Sequence, residues 1–403
     1  MIVAGVMSGT SVDGIDVSLV RISRASSRAL PKLKLIGHTA LPYPADVRRR
    51  ILISMNSPRA SVADLARLNF LLGELYAEAV LAAQKKLRTK AELIGCHGQT
   101  LYHQGTAGQF LGRELAVTWQ TGEGSLIAAR AGVPVVSDFR PADMARGGKG
   151  APLVPYLDYI LYRDPRIGRI ALNLGGIANL TAIPAAASLN QIVAFDTGPG
   201  SMVIDALAEE LFGQECDLDG KIAASGRIID DVVTTFLNDQ SFFSQRPPRT
   251  AGREEFGREF AHEFLHAARP LGGGRESVSP YGTGVAEAPA IEKRDVIATA
   301  TALTVRSIGD AVRRFVPRKG SFKEMIVSGG GVKNPTLMRW LGEELESLRL
   351  VLRSSDEFGI PSSAKEAVAF AVLAYETWNR RPSNVPSATG AKRAAVLGKI
   401  CYP

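Results

Sequence analysis

Residues 7–14, Met7-Ser8-Gly9-Thr10-Ser11-Val12-Asp13-Gly14, lie between two short apolar runs, Ile2 to Val6 and Ile15 to Val20. The flanking runs have strand composition. The residues between them turn a chain while offering backbone N–H groups and hydroxyls. Two readings fit: an ordinary hairpin, since Asp-Gly is a common turn signal, or a hairpin that grips an anion such as phosphate. The choice depends on the rest of the chain.

With 403 residues the chain can bury a large core and divide into two or three domains at roughly 100–200 residues each. Hydrophobic residues at 45% and charged residues at 22% describe a globular protein. No apolar run approaches the roughly 18 residues of a membrane span, and no leader pattern opens the chain, so no membrane association is expected and the cytoplasm is. Cys96, Cys216 and Cys401 are unpaired in spacing and suggest neither a disulfide framework nor a cysteine metal site. The net charge of +8 is scattered over the sequence instead of gathered in a recognisable module. Nucleic acid is therefore not expected as a partner, whereas an anionic small molecule is compatible with the charge.

In chain order, strands at 2–6, 15–21 and 34–38 form a meander, and Ser61 with Asp64 opens a helix whose apolar positions recur to about Leu87. Leu93 to Cys96 reads as a buried strand ending in His97-Gly98-Gln99-Thr100, and ligands favour such strand ends. Thr121-Gly122-Glu123-Gly124 and then Ser137 to Pro152 form a second polar concentration. In the latter, the glycines around Lys149 mark a loop where backbone approaches something closely. A second meander follows at 169–173, 177–183 and 191–196, and it too carries a glycine turn, Asp196-Thr197-Gly198-Pro199-Gly200-Ser201, before a helix near Met202. An acidic strand end, a glycine turn and a helix N-terminus suit a phosphate and a divalent cation. A strand at 324–327 then runs into Ser328-Gly329-Gly330-Gly331. Two meanders with comparable turns make an internal repeat of the kind that grips both ends of a triphosphate. Neither a P-loop nor a protein-kinase glycine loop occurs.

The segments GVMSGTSVDGID, CHGQT, SDFRPADMARGGKGAPLVP, LNLGGIANLT, FDTGPGS, VSGGGVKNP and VLGKI resemble, in this order and over essentially the whole chain, the anhydro-N-acetylmuramic acid kinase family. The resemblance implies an α/β actin-like ATPase fold, with two ribonuclease-H-like domains around a central ATP cleft. It places domain I at 1–136 plus 363–403, and domain II at 137–362 with a flexible loop at 269–290. The implied reaction uses ATP, Mg²⁺ and water to open 1,6-anhydro-N-acetylmuramic acid and phosphorylate O6 during recycling of cell-wall sugars. A different anhydro sugar such as levoglucosan is the alternative substrate, and a homodimer is compatible with the resemblance.

By the same resemblance, Asp143 is the catalytic base. Gly9, Thr10, Ser11, Asp13 and Gly14 form the first phosphate loop, Asp196, Gly198 and Gly200 the second, and Gly329, Gly330, Gly331 and Asn334 hold adenosine. Asp13 and Glu366 are the metal residues. For Glu366 a second reading stays open, because Ser363-Ala364-Lys365-Glu366 is itself a capping box. His97, Thr121, Glu123 and Arg140 are assigned to the sugar pocket. Arg249 stands where the family pattern leads one to expect lysine, a change expected to matter little. His262-Glu263-Phe264-Leu265-His266 matches a zinc-peptidase motif, but Phe256, Phe260 and Phe264 mark the apolar stripe and put both histidines on the solvated face.

Overall fold

The computed structural model describes residues 1–26, 29–268 and 291–403, so the loop expected at 269–290 lies outside the described residues. The chain forms two compact units, Met1–Arg166 with Ile183–Ala194 and Ser355–Pro403, and Ile167–Ala182 with Phe195–Ser354.

In the first unit, β1 (Ile2–Met7), β2 (Gly14–Ser23) and β3 (Lys32–Pro42) form the expected antiparallel meander. Helix α1 (Val62–Leu87) begins at Ser61, whose hydroxyl accepts from the Asp64 amide as the sequence predicts. Strand β4 (Leu93–Cys96) joins the free side of β1 in parallel. The chain then leaves the sheet as a two-stranded ribbon, β5 (Gln99–Phe110) and β6 (Arg113–Thr121), an element outside the expectations above. It re-enters through β7 (Val135–Ser137), parallel to β4, and the last strand, Lys399–Cys401, closes that edge.

Burial explains the central position of β1, because Val3, Ala4, Gly5 and Val6 are all covered and such strands read as continuous apolar runs. The helix Lys365–Trp378 is buried over nearly its whole length and packs directly on β1 and β4. Two glycines permit the close approach. A Cβ on Gly5 would sit 1.8 Å from the Ala367 carbonyl oxygen, and one on Gly95 2.2 Å from that of Phe370. Leu68, Leu72, Tyr76 and Val80 of α1 build a core with Val6, Val17, Leu19 and Ile94.

The second unit has β8 (Gly168–Leu174), β9 (Ile177–Ile183), β10 (Val193–Pro199), β11 (Phe322–Ser328) and β12 (Val351–Ser354), ordered β10-β9-β8-β11-β12. Strand β11 runs parallel to both β8 and β12. Counted within each unit, the main sheets share one order: three consecutive strands, then later ones on the free side of the first, three in the first unit and two in the second. This repetition realises the internal repeat and the two ribonuclease-H-like sheets expected from the sequence.

The domain boundary is corrected. Residues 137–166, expected in the second domain, belong to the first unit, as do residues 183–194 and 355–362. The cause is long-range pairing: β7 hydrogen-bonds to β4 and to Lys399–Cys401, and Asp143 is held by Asn384 and Thr389.

Candidate active site

The opening turn of the first unit is anchored from below. Val12 is buried at φ 57° and its amide donates to the Gly9 carbonyl at 3.2 Å. Ser8 donates to Gln99 Oε1 at 2.6 Å and accepts from Tyr43 OH at 2.9 Å, while Gln99 Nε2 reaches the Gly9 carbonyl at 3.3 Å. With Ser8 and Val12 pinned, Thr10, Ser11 and Asp13 face solvent. Around Gly9 the nearest atom to an added Cβ is Ser11 Oγ at 3.8 Å, so space remains there for an approaching group; Gly14 instead packs on β3, where a Cβ would meet the Leu41 carbonyl at 2.3 Å. Arg48 Nη2 lies 3.8 Å from Asp13 Oδ1.

A charged cluster lies in the same unit. Asp143, in the short helix Phe139–Met144, is 0% exposed. Its Oδ1 accepts from Asn384 Nδ2 at 2.7 Å and Thr389 Oγ1 at 2.8 Å, and its Oδ2 from the Gly150 amide at 2.9 Å. The Ala395 amide donates to Asn384 Oδ1 and so turns the Asn384 amide group toward Asp143. A carboxylate has about four lone-pair sites, so Oδ2 retains acceptor capacity. A Cβ on Gly148 would sit 2.1 Å from that oxygen, which accounts for glycine there.

One turn earlier, Arg140 donates from Nη1 to the Gly150 carbonyl at 2.8 Å, and its Nη2 lies 2.9 Å from His97 Nε2. Guanidinium can only donate, so His97 Nε2 accepts, and Nδ1 carries the proton toward the Gly98 carbonyl at 2.7 Å. Burial, reinforced by the Arg140 charge, lowers the His97 pKa to about 3 and keeps the ring neutral. Burial also lowers Arg140 to about 10, while Glu366 and Asp143 act to hold it charged. Arg140 Nε is buried with no partner, a donor left over for a bound group.

Glu366 is half-buried and is raised by burial, opposed by Lys365 and Arg140 and reinforced by Asp16. The capping alternative for this residue is not realised. A 3₁₀ turn, Ser362–Ala364, precedes the helix, and its N-cap Ala364 makes no side-chain cap bond.

The sugar-pocket set divides. His97 and Arg140 are joined directly, but Thr121 is buried and donates to the Gln99 carbonyl at 3.1 Å, tying down the base of the ribbon. Glu123 caps the helix Gly124–Ala131 and also accepts from Asn69 Nδ2 at 3.1 Å. Glu123 and His97 line a common cavity of ≈ 290 Å³ with Asp138 and Lys399.

In the second unit, Gly200, Gly330, Gly331 and Asn334 line one cavity of ≈ 350 Å³, with Leu174, Ile204 and Leu337 as apolar walls. The turns meet through backbone: the amides of Gly200 and Ser201 donate to the Gly176 and Gly175 carbonyls at 2.9 Å each. Gly200 is needed for that contact, since a Cβ would lie 2.1 Å from the Gly175 oxygen. Gly198 packs against Phe243 and Ser307, and Gly329, at φ +94°, against the Leu174 carbonyl. Asn334 caps the helix Pro335–Glu346, and its Oδ1 accepts from the Leu337 amide at 2.9 Å. Asp196 Oδ2 accepts from the Ala251 amide at 2.7 Å, fastening the segment that carries Arg249.

Arg249 is more constrained than expected. It is buried and donates to the carbonyls of Asp196, Thr197, Phe242, Phe243 and Gln245, with its guanidinium against Phe195, Phe242 and Phe315. Lysine has three donors on one nitrogen and cannot reproduce this fork. His262 pairs with Glu210 at 3.3 Å and, with His266, occupies the exposed side of the helix Arg258–Ala268. Sequence reasoning missed Asn384 and Thr389, which lie 241 and 246 residues from Asp143. It also missed Asp205, which lines the second cavity.

Two sheets of repeated order, a polar turn with exposed hydroxyls, a buried carboxylate held by three donors, and a glycine-lined cavity fit the class of two-unit α/β phosphotransferases. The family model for anhydro-N-acetylmuramic acid kinase matches residues 1–403, and the chain belongs to that family. Proteins named anhydro-N-acetylmuramic acid kinase from Bacillus cereus (strain Q1) and Bacillus thuringiensis subsp. konkukian are 41% and 40% identical to it, each over 100% of both chains. Among solved structures, a ROK hexokinase from Thermus thermophilus aligns over 94% of this chain and 99% of its own at 11% identity and a TM-score of 0.41, too remote to bear on function.

Proposed function

We propose that the chain converts 1,6-anhydro-N-acetylmuramic acid, ATP and water to N-acetylmuramic acid 6-phosphate and ADP, in the cytoplasm and as a homodimer. The observation that carries the reading is Asp143, a buried carboxylate oriented by three donors with acceptor capacity remaining on Oδ2. In this reading Asp143 takes a proton from water as the water oxygen bonds to the anomeric carbon. The bond from that carbon to the bridging oxygen breaks, and the freed O6 accepts the γ-phosphoryl group. Such a transfer depends mainly on positioning and charge. Arg140, with an unused buried donor at Nε, and His97 would orient the sugar. Thr121 and Glu123 would support that pocket from the ribbon base instead of contacting sugar directly.

Thr10 and Ser11, with the open space at Gly9, would receive the terminal phosphates, and the cavity at Gly330, Gly331 and Asn334 would take adenosine. Gly198, Gly200 and Gly329 would shape these turns, and Asp196 would brace the second from behind. Mg²⁺ commonly keeps several waters and takes one or two carboxylates besides phosphate oxygens. Asp13, exposed and only loosely paired, fits as such a ligand; Glu366, half-buried, fits a water-mediated position. The ion would neutralise phosphate charge. No helix among the described residues is long and apolar enough to cross a membrane.

The test is a coupled ADP-release assay with anhydro-N-acetylmuramic acid and, as the rival sugar, levoglucosan, on the intact protein and Asp143→Asn. We expect turnover of the muramic sugar and a loss of at least roughly 10³-fold in kcat in the variant, with the circular dichroism spectrum retained. Near-normal turnover by Asp143→Asn rules out the base, and preference for levoglucosan rules out the substrate.

A further inference from the structure

The ribbon β5–β6 has its amphipathic pattern reversed. Pairing of Tyr102 with Trp119, Gln104 with Val117, Gly108 with Leu115 and Phe110 with Arg113 puts these residues on one face. That face is outward: Tyr102 is 42% exposed, Phe110 64%, Leu115 40%, Val117 39% and Trp119 43%, with Leu111 at the tip 89%. Toward the base of the ribbon the opposite face is polar and half-buried. There His103 Nδ1 lies 2.9 Å from Thr118 Oγ1, and Gln120 Nε2 donates to Thr118 Oγ1 at 2.8 Å and Thr100 Oγ1 at 3.2 Å. A two-stranded ribbon gains little stability alone, and one that hides its polar side and shows its apolar side has the character of half an interface.

We infer that this face is where two copies of the chain meet, the ribbons stacking face to face about a two-fold axis. Area supports this. At roughly 200 Å² for a fully exposed aromatic side chain, the outward residues present on the order of 500 Å² of apolar surface. That is at the upper end of what monomers expose. Two such faces supply on the order of 1,000 Å², and since interfaces are about 57% apolar this corresponds to roughly 1,700 Å² in all, the size of a stable dimer.

Chemistry supports it as well. The face bears one charge, Arg113 near the tip, too little to hold an anionic lipid surface. Antiparallel stacking brings the tip of one ribbon over the base of the other, setting Arg113 against the partner's Trp119 and the partner's Tyr102, where a guanidinium is favoured. Phe110 then meets the same aromatic base, so the patch is self-complementary, as a two-fold contact requires.

The inference deepens the proposed homodimer by assigning its surface, and a test without substrate separates it from the reaction. Full-length protein is measured by light scattering after size exclusion and by sedimentation velocity over about 1–50 µM, as wild type, Val117→Lys and Glu114→Lys. Glu114 lies on the opposite face of the same strand. We expect the wild type at twice 43.1 kDa, Glu114→Lys likewise, and Val117→Lys at the monomer mass, its dimer dissociation constant raised at least roughly 30-fold. Thermal melts confirm folding, and Leu115→Ser serves if Val117→Lys misfolds. A dimer that survives both Val117→Lys and Leu115→Ser overturns the surface while leaving the dimer. A wild type monomeric throughout overturns both, and flotation of that monomer with anionic vesicles would give the face to lipid instead.

Discussion

At the residue scale, environment separates carboxylates that look alike in sequence. Asp205 lies in the first turn of the helix Met202–Phe212 and lines the cavity of the second unit. Burial raises its pKa from 3.8 to about 6, against a hydrogen bond from Ser201 and with help from Asp217. The folded state thus favours the protonated form. Its contribution to stability is fully present below the ordinary 3.8 and is lost as pH rises through about 6. We therefore expect Asp205→Asn to flatten the pH dependence of urea midpoints across that window and to stabilise the protein near neutrality by on the order of 2 kcal/mol. Parallel curves for variant and wild type would show that Asp205 is not strained by burial. Nothing local marks Asp205, because an acidic residue in a first turn is ordinary dipole compensation. By contrast, the family resemblance singled out Asp143, and the glycine loop beside it in sequence is explained by the contacts of Gly148 and Gly150 with its carboxylate.

At the element scale, the glycine turns prove to be of two kinds. Some glycines exist so that protein can approach protein: Gly200 lies against the Gly175 carbonyl and Gly329 against that of Leu174. Gly330 differs, since an added Cβ would meet nothing within 4 Å although the residue lines the cavity. Gly200→Ala should accordingly lower the unfolding free energy by at least about 2 kcal/mol, because the opposing atom is backbone and cannot swing aside. Gly330→Ala should leave stability within about 0.5 kcal/mol yet raise the KM for ATP several-fold. Denaturant titrations and initial rates on both variants check this; a fully stable Gly200→Ala would contradict the packing account. In sequence the glycines look equivalent, because a turn and a ligand cradle call for the same residue. The ribbon was illegible for a related reason: its alternation is visible, but which face is covered is not a property of the strand.

At the scale of the whole molecule, the repeated strand order gives each unit its own sheet and core. The glycine-lined cavity falls wholly within the second unit. Nucleotide binding should therefore show itself there. At a free ADP concentration of 100 times Kd, the expected stabilisation is about 2.7 kcal/mol. Hydrogen exchange should slow chiefly in residues 200–205, 216–219 and 330–337. Protection confined to the first unit would place the nucleotide elsewhere.

By itself the sequence determined the two meanders, their glycine turns and the residues from Asp143 to Gly150, because strand periodicity and turn chemistry act over a few residues. It also determined the family, through seven motifs in order. Only the tertiary structure decided that residues 137–166 join the first unit, that Asn384 and Thr389 hold Asp143, that Arg249 clasps five carbonyls and that the ribbon shows its apolar face to solvent. These depend on which distant segments meet. A residue's neighbours in space, unlike its neighbours in the chain, are set by the packing of whole elements.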